Sequence, residues 1–336
     1  MTPTRLPDRR RIAAIVGGTL LGLALTPAAA LAQTWPGKPV RVVIGAPAGG
    51  TVDIVARLLS DGLQKEWGQP VFVEAKPGGA GTIGVNELMT APADGHTLYV
   101  ALNATVTEIP HVVKVRYDPF KDLKPLVDLG GAGLMLLGHP SVPAKNLAEV
   151  VSYVKANPGK INYASYSAGT ISHTMGLELN KAAGIDMTHV PYRGSAPGLQ
   201  DLMGGHVPFM FDGPANTVPM IRSGKIRAFA VSSPKRNPAL PDVPTFAEQG
   251  FPTIDDMASI VLWIKPDVPA DVQARVREAA LKVLALPASR ARLLEFGLEP
   301  GSGATPEEMT KALRTAYEKQ GATLRALGVK PQDLGG

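Results

Sequence analysis

Apolar runs of strand length alternate with amphipathic segments of helix length along most of this chain, and this alternation restricts the folds open to it. The strand-like runs are 40–46, 70–74, 97–102, 160–165, 206–212 and 225–231. The helix-like segments are 53–67, 147–159 and 171–184, with two longer ones near 269–285 and 306–327. Repeated strand–helix units of this size are typical of an α/β fold with mainly parallel sheets.

The first 32 residues differ from the rest and predict an export signal. Four arginines (Arg5, Arg9, Arg10 and Arg11) precede an apolar run from Ile12 to Leu25, and Ala30-Leu31-Ala32 has the small-residue pattern of a cleavage site. The apolar run of 14 residues is too short to span a bilayer. We therefore expect a periplasmic protein cleaved near Ala32, and both the general and the twin-arginine export routes fit this signal.

The charge balance of the mature chain argues against a nucleic-acid partner. Removing the signal removes four Arg and one Asp, which leaves 30 basic and 28 acidic residues. No Lys/Arg cluster remains, and aromatic residues make up only 5% of the sequence. The sequence has no Cys, and its six His show no metal-binding spacing, so we expect neither a metal nor a cofactor. The remaining 304 residues are more than one core usually contains, which favours two lobes.

The stretch KPGGAGTIG, residues 76–84, has the spacing G-x-G-x-x-G but lacks the context of a dinucleotide site. Such a site needs a strand that runs directly into the glycines and an acidic residue about twenty positions later. Pro77 separates the glycines from the preceding strand, and the next strand ends in Leu102-Asn103. We predict instead a loop whose glycines allow positive φ and close packing of a short helix.

A better anion site lies in IGAPAGGTVD, residues 44–53, where a buried strand turns into a helix. Thr51 is placed to cap this helix, Asp53 lies in its first turn, and Gly49 and Gly50 leave backbone N–H groups accessible. A helix N-terminus binds anions without Arg or Lys because its N–H groups carry partial positive charge. On this stretch alone, an anion site and an ordinary capped turn fit equally well.

A second segment, INYASYSAGTISH at residues 161–173, repeats the arrangement of strand, small-residue loop and helix. Thr170 or Ser172 is placed as the N-cap of this helix. The hydroxyls and accessible backbone of the loop come from Ser165, Ser167, Ala168, Gly169 and Thr170. Two such loops on separate lobes would clamp one carboxylate between them.

Three candidates near these strands each have a structural alternative. Asp212 ends a strand, and it fits either a cleft group that orients an ammonium or a water, or a turn cap. His173 lies in the first turn of a helix, so we expect it to be neutral, and a hydrogen-bonded structural role competes with ligand contact. Tyr166 fits either a lid on the ligand or an exposed loop residue.

Three further candidates follow from position. Asn103 and Thr105 come directly after the third strand, where open α/β sheets place their ligands. Tyr192, in the segment VPYRG, is a candidate for the wall of the cleft, and its neighbour Arg193 fits a surface role equally well.

A set of collinear segments resembles the tripartite tricarboxylate transporter substrate-binding family, also called the Bug family of periplasmic binding proteins. The segments include PAGGTVDIVAR (47–57), KPGGAGTIG (76–84), YDPFKDLKPL (117–126), HVPYRGSAPGLQDLMGGHVPFMFD (189–212) and DVPTFAEQGFP (242–252). The resemblance covers nearly the whole mature sequence. It implies a two-lobed, type II periplasmic-binding-protein fold, with a carboxylate ligand in a cleft between the lobes.

The resemblance also implies which residues bind the ligand. The first loop is carried over as Pro47, Ala48, Gly49, Gly50, Thr51 and Asp53. The second matches Ser165 through Thr170, with His173 and Glu178 in the helix that follows. This chain departs from the family pattern at Ser167, Thr174, Ile260 and Leu262, and we expect these changes to alter the shape of the pocket.

We expect the chain to cross between lobes near residues 130–133 and to return near 254–262. Lobe one then comprises 35–130 plus 259–330, and lobe two comprises 131–258. The expected function is capture of a small organic acid by an exported monomer that serves membrane permease subunits or a sensor. The alternative is a small-molecule hydrolase or lyase using the same cleft, although the sequence lacks the G-x-S-x-G motif and other catalytic signatures.

Overall fold

The computed structural model describes residues 35–326 and residue 328. The described residues from Lys38 onward form one compact unit. The predicted export signal, Leu327 and residues 329–330 at the predicted end of lobe one lie outside the described residues.

Strands and helices alternate through the described residues, and the predicted α/β class is confirmed. The strands are β1 (Val40–Ile44), β2 (Val71–Ala75), β3 (Thr97–Leu102), β4 (Lys124–Gly133), β5 (Met135–Gly138), β6 (Asn162–Ser165), β7 (Thr188–Pro191), β8 (Phe209–Asp212), β9 (Arg227–Val231) and β10 (Met257–Ile264). The α-helices are α1 (Thr51–Trp67), α2 (Thr82–Thr90), α3 (Ala104–Thr107), α4 (Ile109–Val112), α5 (Leu147–Ala156), α6 (Ile171–Ala183), α7 (Ser195–Met203), α8 (Pro214–Arg222), α9 (Ala270–Ala285), α10 (Pro287–Glu295) and α11 (Pro306–Ala326).

The strands form two five-stranded sheets. The first sheet has the order β2-β1-β3-β10-β4, and the second has the order β7-β6-β8-β5-β9. The prediction of mainly parallel sheets is wrong, because β10 and β5 each run antiparallel to both of their neighbours. The pairs β1–β2, β1–β3, β6–β7 and β6–β8 are parallel. The chain enters the second sheet at β5 and returns to the first at β10, so neither strand is joined to a neighbour in its sheet by the crossover helix that links parallel strands.

The chain passes between the sheets along β4 and β10. These strands pair from Met257 opposite Gly133 to Ile264 opposite Lys124. Leu134 alone separates the end of β4 from the start of β5. The sequence analysis did not predict β4, because glycines break its apolar pattern. Gly131 is needed here, since a Cβ on it would lie 3.1 Å from Ser259 Cα on the paired strand.

Each sheet has its own buried core, which fixes the strand ends and the loops that follow them. In the first sheet, Val43, Tyr99 and Trp263 pack against α2 and α11 residues. In the second, Tyr163 and Phe211 are fully buried and pack edge to face, with ring centroids 5.8 Å apart. Burial of a large apolar side chain contributes roughly 1.5–3 kcal/mol. The loops at the strand ends are therefore held by well-packed elements on both sides.

The G-x-G-x-x-G stretch forms a tight turn and the start of α2, as predicted. Gly79 and Gly81 have φ values of +54° and +92°. A Cβ on Gly84 would lie 2.7 Å from Tyr99 Cε2 and 3.0 Å from Gly45 Cα. The glycine therefore lets α2 approach the end of β1 closely.

Candidate functional site

The first loop, residues 45–50, carries the chain from β1 into α1. Gly49 has φ +83°, a conformation that favours glycine, and Gly50 is the N-cap in an extended conformation. The N–H of Gly49 donates to Asp53 Oδ2 at 2.9 Å, and Arg57 Nε donates to the same oxygen at 2.9 Å. Asp53 therefore lies at the positive end of α1, as expected from its position in the first turn.

Thr51 does not cap α1, so that prediction is wrong. Gly50 occupies the N-cap position and Thr51 is the first helical residue, with its Oγ1 buried and without a hydrogen bond. The backbone of this turn instead bonds to Asn216 in α8. With the amide oriented to satisfy both contacts, Asn216 accepts from Thr51 N–H at 3.3 Å and donates to Gly49 O at 3.2 Å.

The N-terminus of α1 meets the N-termini of α7 and α8, two helices that each follow a strand of the second sheet. Gly194, the N-cap of α7, packs on Pro47, and a Cβ on Gly194 would lie 2.7 Å from Pro47 Cδ. Gly213, the N-cap of α8, lies beside Thr51, with 4.0 Å between its Cβ position and Thr51 Oγ1. We call this meeting of three helix N-termini, at Pro47, Gly50, Gly194 and Gly213, the tip cluster.

The sequence analysis missed the parts of the tip cluster that come from α7 and α8. Two signals were present in the sequence. Gly194-Ser195 precedes the apolar spacing of α7, and Pro214 follows Gly213 at the first position of α8. Proline at the first helical position is a helix-start signal, because its missing N–H would be unpaired there anyway.

The second loop, residues 166–170, leads from β6 into α6. Thr170 occupies the N-cap position, as predicted, but its Oγ1 donates to Ser167 O at 2.8 Å and makes no capping bond. Ser172, the alternative cap, lies inside the helix and donates to Phe211 O. Ala168 is exposed, and Gly169 has φ +79°. The N–H of Gly169 donates to His173 Nδ1 at 3.1 Å, so His173 closes this loop.

His173 is neutral at pH 7, as predicted, and it is part of a buried histidine pair. Its ring stacks on His189 with centroids 3.7 Å apart. Burial lowers the pKa of His173 to about 4, and burial together with His173 lowers the pKa of His189 to about 3. His189 Nε2 lies 2.6 Å from Ser165 Oγ. These contacts give His173 and Ser165 hydrogen-bonded structural roles.

The N-terminus of α6 faces the segment after β3, whereas the start of the second loop reaches the tip cluster, where Tyr166 O accepts from Gly194 N–H at 2.8 Å. A Cβ on Gly169 would lie 2.8 Å from Val112 Cβ. The carboxyl of Glu108 interacts with the N–H of Ile171, the first residue of α6. Glu108 is only 1% exposed, and burial, with Asp256 and Glu178 nearby, raises its pKa well above the usual range. The sequence analysis missed Glu108, whose signal was an acidic residue within an apolar stretch.

Asn103 and Thr105 make internal contacts where the cleft was expected. The N–H of Asn103 donates to Ser259 O at 2.8 Å, and its Oδ1 accepts from Ser259 N–H at 3.1 Å. Asn103 therefore joins the end of β3 to β10. Thr105 is buried, and its carbonyl accepts from Tyr117 Oη at 2.7 Å.

Asp212 lies at the end of β8, between the N-termini of α7 and α8. Its Oδ1 accepts from Ser195 Oγ at 3.0 Å and from Gly213 N–H at 2.7 Å. The side chain is 1% exposed, and its Oδ2 has no hydrogen-bond partner. Burial raises the pKa of Asp212 to about 7. The bond to Gly213 fits the turn-cap role, and the free Oδ2 leaves the cleft role open as well.

The two candidate tyrosines differ in what their hydroxyls contact. The hydroxyl of Tyr166 is buried without a hydrogen bond, and burial, with Glu108 and Asp212 nearby, raises its pKa. The alternative of a solvent-exposed Tyr166 is therefore wrong. The hydroxyl of Tyr192 donates to Asp201 Oδ2 at 2.6 Å, so this hydroxyl is already hydrogen-bonded to a residue of α7.

Other parts of the described structure provide weaker candidates for a functional site. No three His, Cys, Asp or Glu side chains in the described part of the chain are grouped so that they could hold a metal ion. Among residues 35–326 and 328, no helix is long and apolar enough to cross a membrane. A depression of about 450 Å³ lies beside the first half of α11, and charged surface side chains such as Lys124, Lys311 and Arg314 line it.

The sequence matches one protein family over most of its length. Residues 55–329 match the tripartite tricarboxylate transporter family receptor. The UPF0065 protein of the gbd 5′ region in Cupriavidus necator is 36% identical over 280 residues, which cover 83% of this chain and 85% of that protein. The BugT protein of Bordetella pertussis is 32% identical over 246 residues, covering 72% of this chain and 74% of that protein.

The fold is similar to solved periplasmic proteins. The periplasmic binding protein BugD is 31% identical, with a TM-score of 0.84, and the match covers 89% of this chain and 100% of BugD. A protein of R. palustris solved with adipate is 27% identical, with a TM-score of 0.85 and coverage of 89% and 100%. MatC from Rhodopseudomonas palustris, solved with bound malate, is 31% identical, with a TM-score of 0.81 and coverage of 86% and 100%.

Proposed function

This chain belongs to the tripartite tricarboxylate transporter receptor family, and from that premise we propose that it captures a small organic carboxylate between two lobes. Its similarity to periplasmic binding proteins of the Bug type fits this role. Two of the similar solved proteins bind carboxylates, adipate in one and malate in the other.

The observation that carries the proposal is the tip cluster. Three helix N-termini from both sheets meet there, and each presents partial positive charge. No side chain crowds the backbone at Gly50, because the nearest atom to its Cβ position is the backbone oxygen of Pro47 at 3.6 Å. A carboxylate bound at this point would receive backbone hydrogen bonds without a Lys or Arg side chain.

The lobes of this proposal follow the two sheets. Lobe one comprises residues 35–130 plus 259–330, and lobe two comprises 131–258. The order of the strands supports this division, since β1 to β3 lie in one sheet and β5 to β9 in the other. The paired strands β4 and β10 would act as the hinge, and closure about them would enclose the ligand.

The proposed location is the periplasm, after cleavage of the signal near Ala32. The periplasmic relatives support this location. The proposed partners are permease subunits of a tripartite transporter or a membrane sensor, which would recognise the closed form. The chain would act as a monomer and without a cofactor.

We propose a binding role and not an enzymatic one. The feature that an enzyme would use is the pair of Ser165 Oγ and His189 Nε2, 2.6 Å apart. Ser165 is fully buried, and the His189 ring stacks on His173 instead of on a carboxylate. A triad needs an exposed nucleophile and an acidic group that orients the histidine. Incubation with esters and amides of the bound acid should therefore give no turnover.

A thermal-shift screen tests the proposed function. The mature chain is melted with mono-, di- and tricarboxylates, amino acids and aromatic acids, each paired with its neutral amide. An acid at 100 times its dissociation constant should stabilise the fold by about 2.7 kcal/mol, and its amide should not. A neutral solute that raises the melting temperature while every acid leaves it unchanged would contradict carboxylate capture.

A further inference from the structure

The carboxyl of Asp212 is only half satisfied at the tip cluster. Both of its donors, Ser195 Oγ and Gly213 N–H, bond to Oδ1. Oδ2 is buried and accepts no hydrogen bond, although the residue is 1% exposed. Burying a carboxylate oxygen without a donor costs free energy, because the oxygen loses its hydrogen bonds to water and forms none in their place.

The position of Asp212 connects this free oxygen to the proposed ligand. Ser195 and Gly213 belong to the starts of α7 and α8, whose N-caps contact Pro47 and Thr51 of the first loop. Oδ2 is therefore enclosed where the helix N-termini of the two sheets meet. The helix N-termini of the tip cluster present partial positive charge to a carboxylate, whereas Oδ2 presents a lone pair to a hydrogen-bond donor.

The groups around Asp212 do not supply that donor. Burial is the main cause that raises the pKa of Tyr166, with Glu108 and Asp212 contributing, and its hydroxyl makes no hydrogen bond to Asp212. Glu108, which also acts on Tyr166, is a second buried carboxyl with an unpartnered Oε2. No Lys or Arg contributes to the pKa of Asp212. Within the described residues, no side chain or backbone group donates a hydrogen bond to Oδ2.

Resting on the proposed function, we propose that Asp212 determines specificity by accepting a hydrogen bond from the ligand through Oδ2. The ligand class is then a carboxylic acid that carries a hydroxyl or an ammonium close to its carboxylate. The carboxylate binds the helix tips while the neighbouring O–H or N–H reaches Asp212. An acid without a hydroxyl or ammonium close to its carboxylate would leave Oδ2 unpaired and bind more weakly.

Two matched ligand series test this assignment. Succinate, malate and aspartate share a four-carbon diacid skeleton and differ by hydrogen, hydroxyl or ammonium at one carbon. Propionate, lactate and alanine form the same series for a monoacid. Titration calorimetry is carried out at pH 8, where a carboxyl with a pKa of about 7 is mostly ionised. The substituted acid should bind at least about tenfold more tightly than its unsubstituted analogue.

The variant Asp212→Asn examines the residue itself. The amide is nearly isosteric but carries no charge, so the preference for the substituted acid should fall to about twofold or less. Asp201→Asn is the matched control, because it removes a carboxylate of α7 that bonds to Tyr192 and should leave the preference intact. Comparison of malate with aspartate shows whether the ligand donor is a hydroxyl or an ammonium.

The outcomes separate this inference from the proposed function. Equal affinity of the wild type for substituted and unsubstituted acids overturns the role of Asp212, and so does a preference that survives Asp212→Asn. If Asp212→Asn fails to fold, the ratio of the wild-type affinities for substituted and unsubstituted acids alone decides the role of Asp212. If neither series binds but other acids of the screen do, the inference fails and carboxylate capture stands. If no acid binds at all, both fail.

Discussion

Gly50 is the residue on which the proposed anion site depends most directly. It is the N-cap of α1, and its φ of −84° is open to any residue, so glycine is not required there for backbone conformation. A Cβ here would make only ordinary contact, since the nearest atom to its position is 3.6 Å away. We therefore expect a side chain at this position to occupy the approach to the helix N-terminus without a backbone clash.

Gly50→Val should therefore abolish ligand-dependent stabilisation while the ligand-free protein melts within a few degrees of the wild type. The valine side chain would fill the volume that a carboxylate needs next to the N–H groups of α1. The measurement is a thermal melt with and without the acid that stabilises the wild type. Thr90→Val, an exposed substitution at the end of α2, serves as control and should keep the full ligand shift.

At the residue scale, the sequence located the turns that we propose as anion sites but not their partners. Gly49, Gly50 and Asp53 were recognisable because strand, glycines and helix start follow one another in the chain. Asn216, Gly194 and Glu108 were not, because their roles arise from contacts between segments far apart in sequence. Thr51 was misassigned as the cap because an extended glycine can take that position as well as a hydroxyl residue can.

Among the elements, α2 shows how the G-x-G-x-x-G spacing serves packing. The helix lies against the end of β1, with Gly84 facing Gly45 and the ring of Tyr99. Tyr99 is fully buried, and its hydroxyl donates to Gly81 O at 3.2 Å. The third glycine of the motif thus allows a close helix–strand contact.

Gly84→Ala should destabilise the fold by about 1–3 kcal/mol, because the new methyl group overlaps Tyr99 and the β1 backbone. Chemical denaturation measures the difference. Ile83→Ala is the control, at a side chain of the same helix that is 45% exposed, and it should destabilise the fold by less than Gly84→Ala does. A Gly84→Ala variant as stable as the wild type would show that the glycine is not needed for packing.

The sequence predicted most elements of this fold but not the path between the sheets. Alternation of apolar runs and helical segments identified six of the ten described strands, which are β1, β2, β3, β6, β8 and β9. Strands β5 and β7 were missed, and so were β4 and β10, since β4 contains Gly130, Gly131 and Gly133, which weaken any strand signal. The pairing of β4 with β10 is decided by close backbone approach, which local propensity does not report.

At the scale of the whole molecule, a group of buried carboxyls connects elements of both sheets. Glu178 on α6 lies near Asp256, which precedes β10, and Gln320 on α11 donates to Asp256 Oδ1 at 2.9 Å. Lys319 Nζ lies 3.6 Å from the same carboxyl oxygen. Burial, followed by the charge of Asp256, raises the pKa of Glu178 to about 8. Glu178 is therefore protonated at neutral pH.

We expect this cluster to lower the free energy of unfolding as pH rises from about 5 towards 8. A carboxyl with a raised pKa stabilises the fold fully below its unfolded pKa of about 4.5, and this contribution is lost as pH approaches the folded value of about 8. Glu178→Gln keeps the uncharged form at every pH. We expect the variant to match the wild type near pH 5 and to exceed it increasingly towards pH 8, by up to about 1.4 kcal/mol per pH unit.

Denaturant melts between pH 5 and pH 9 provide the measurement. Glu278→Gln, on an exposed face of α9, is the control and should show no pH-dependent difference from the wild type. His173 and His189, with pKa values of about 4 and 3, remain neutral throughout this range in the folded state. A constant difference between Glu178→Gln and wild type would contradict a protonated Glu178.

The most direct test of the account is a crystal structure of the mature chain with the acid that gives the largest thermal shift. We expect a ligand carboxylate oxygen about 2.7–3.2 Å from backbone N–H groups of the tip cluster, with both lobes in contact with the ligand. A ligand bound in the depression beside α11, or one whose carboxylate touches none of the three helix N-termini, would contradict it.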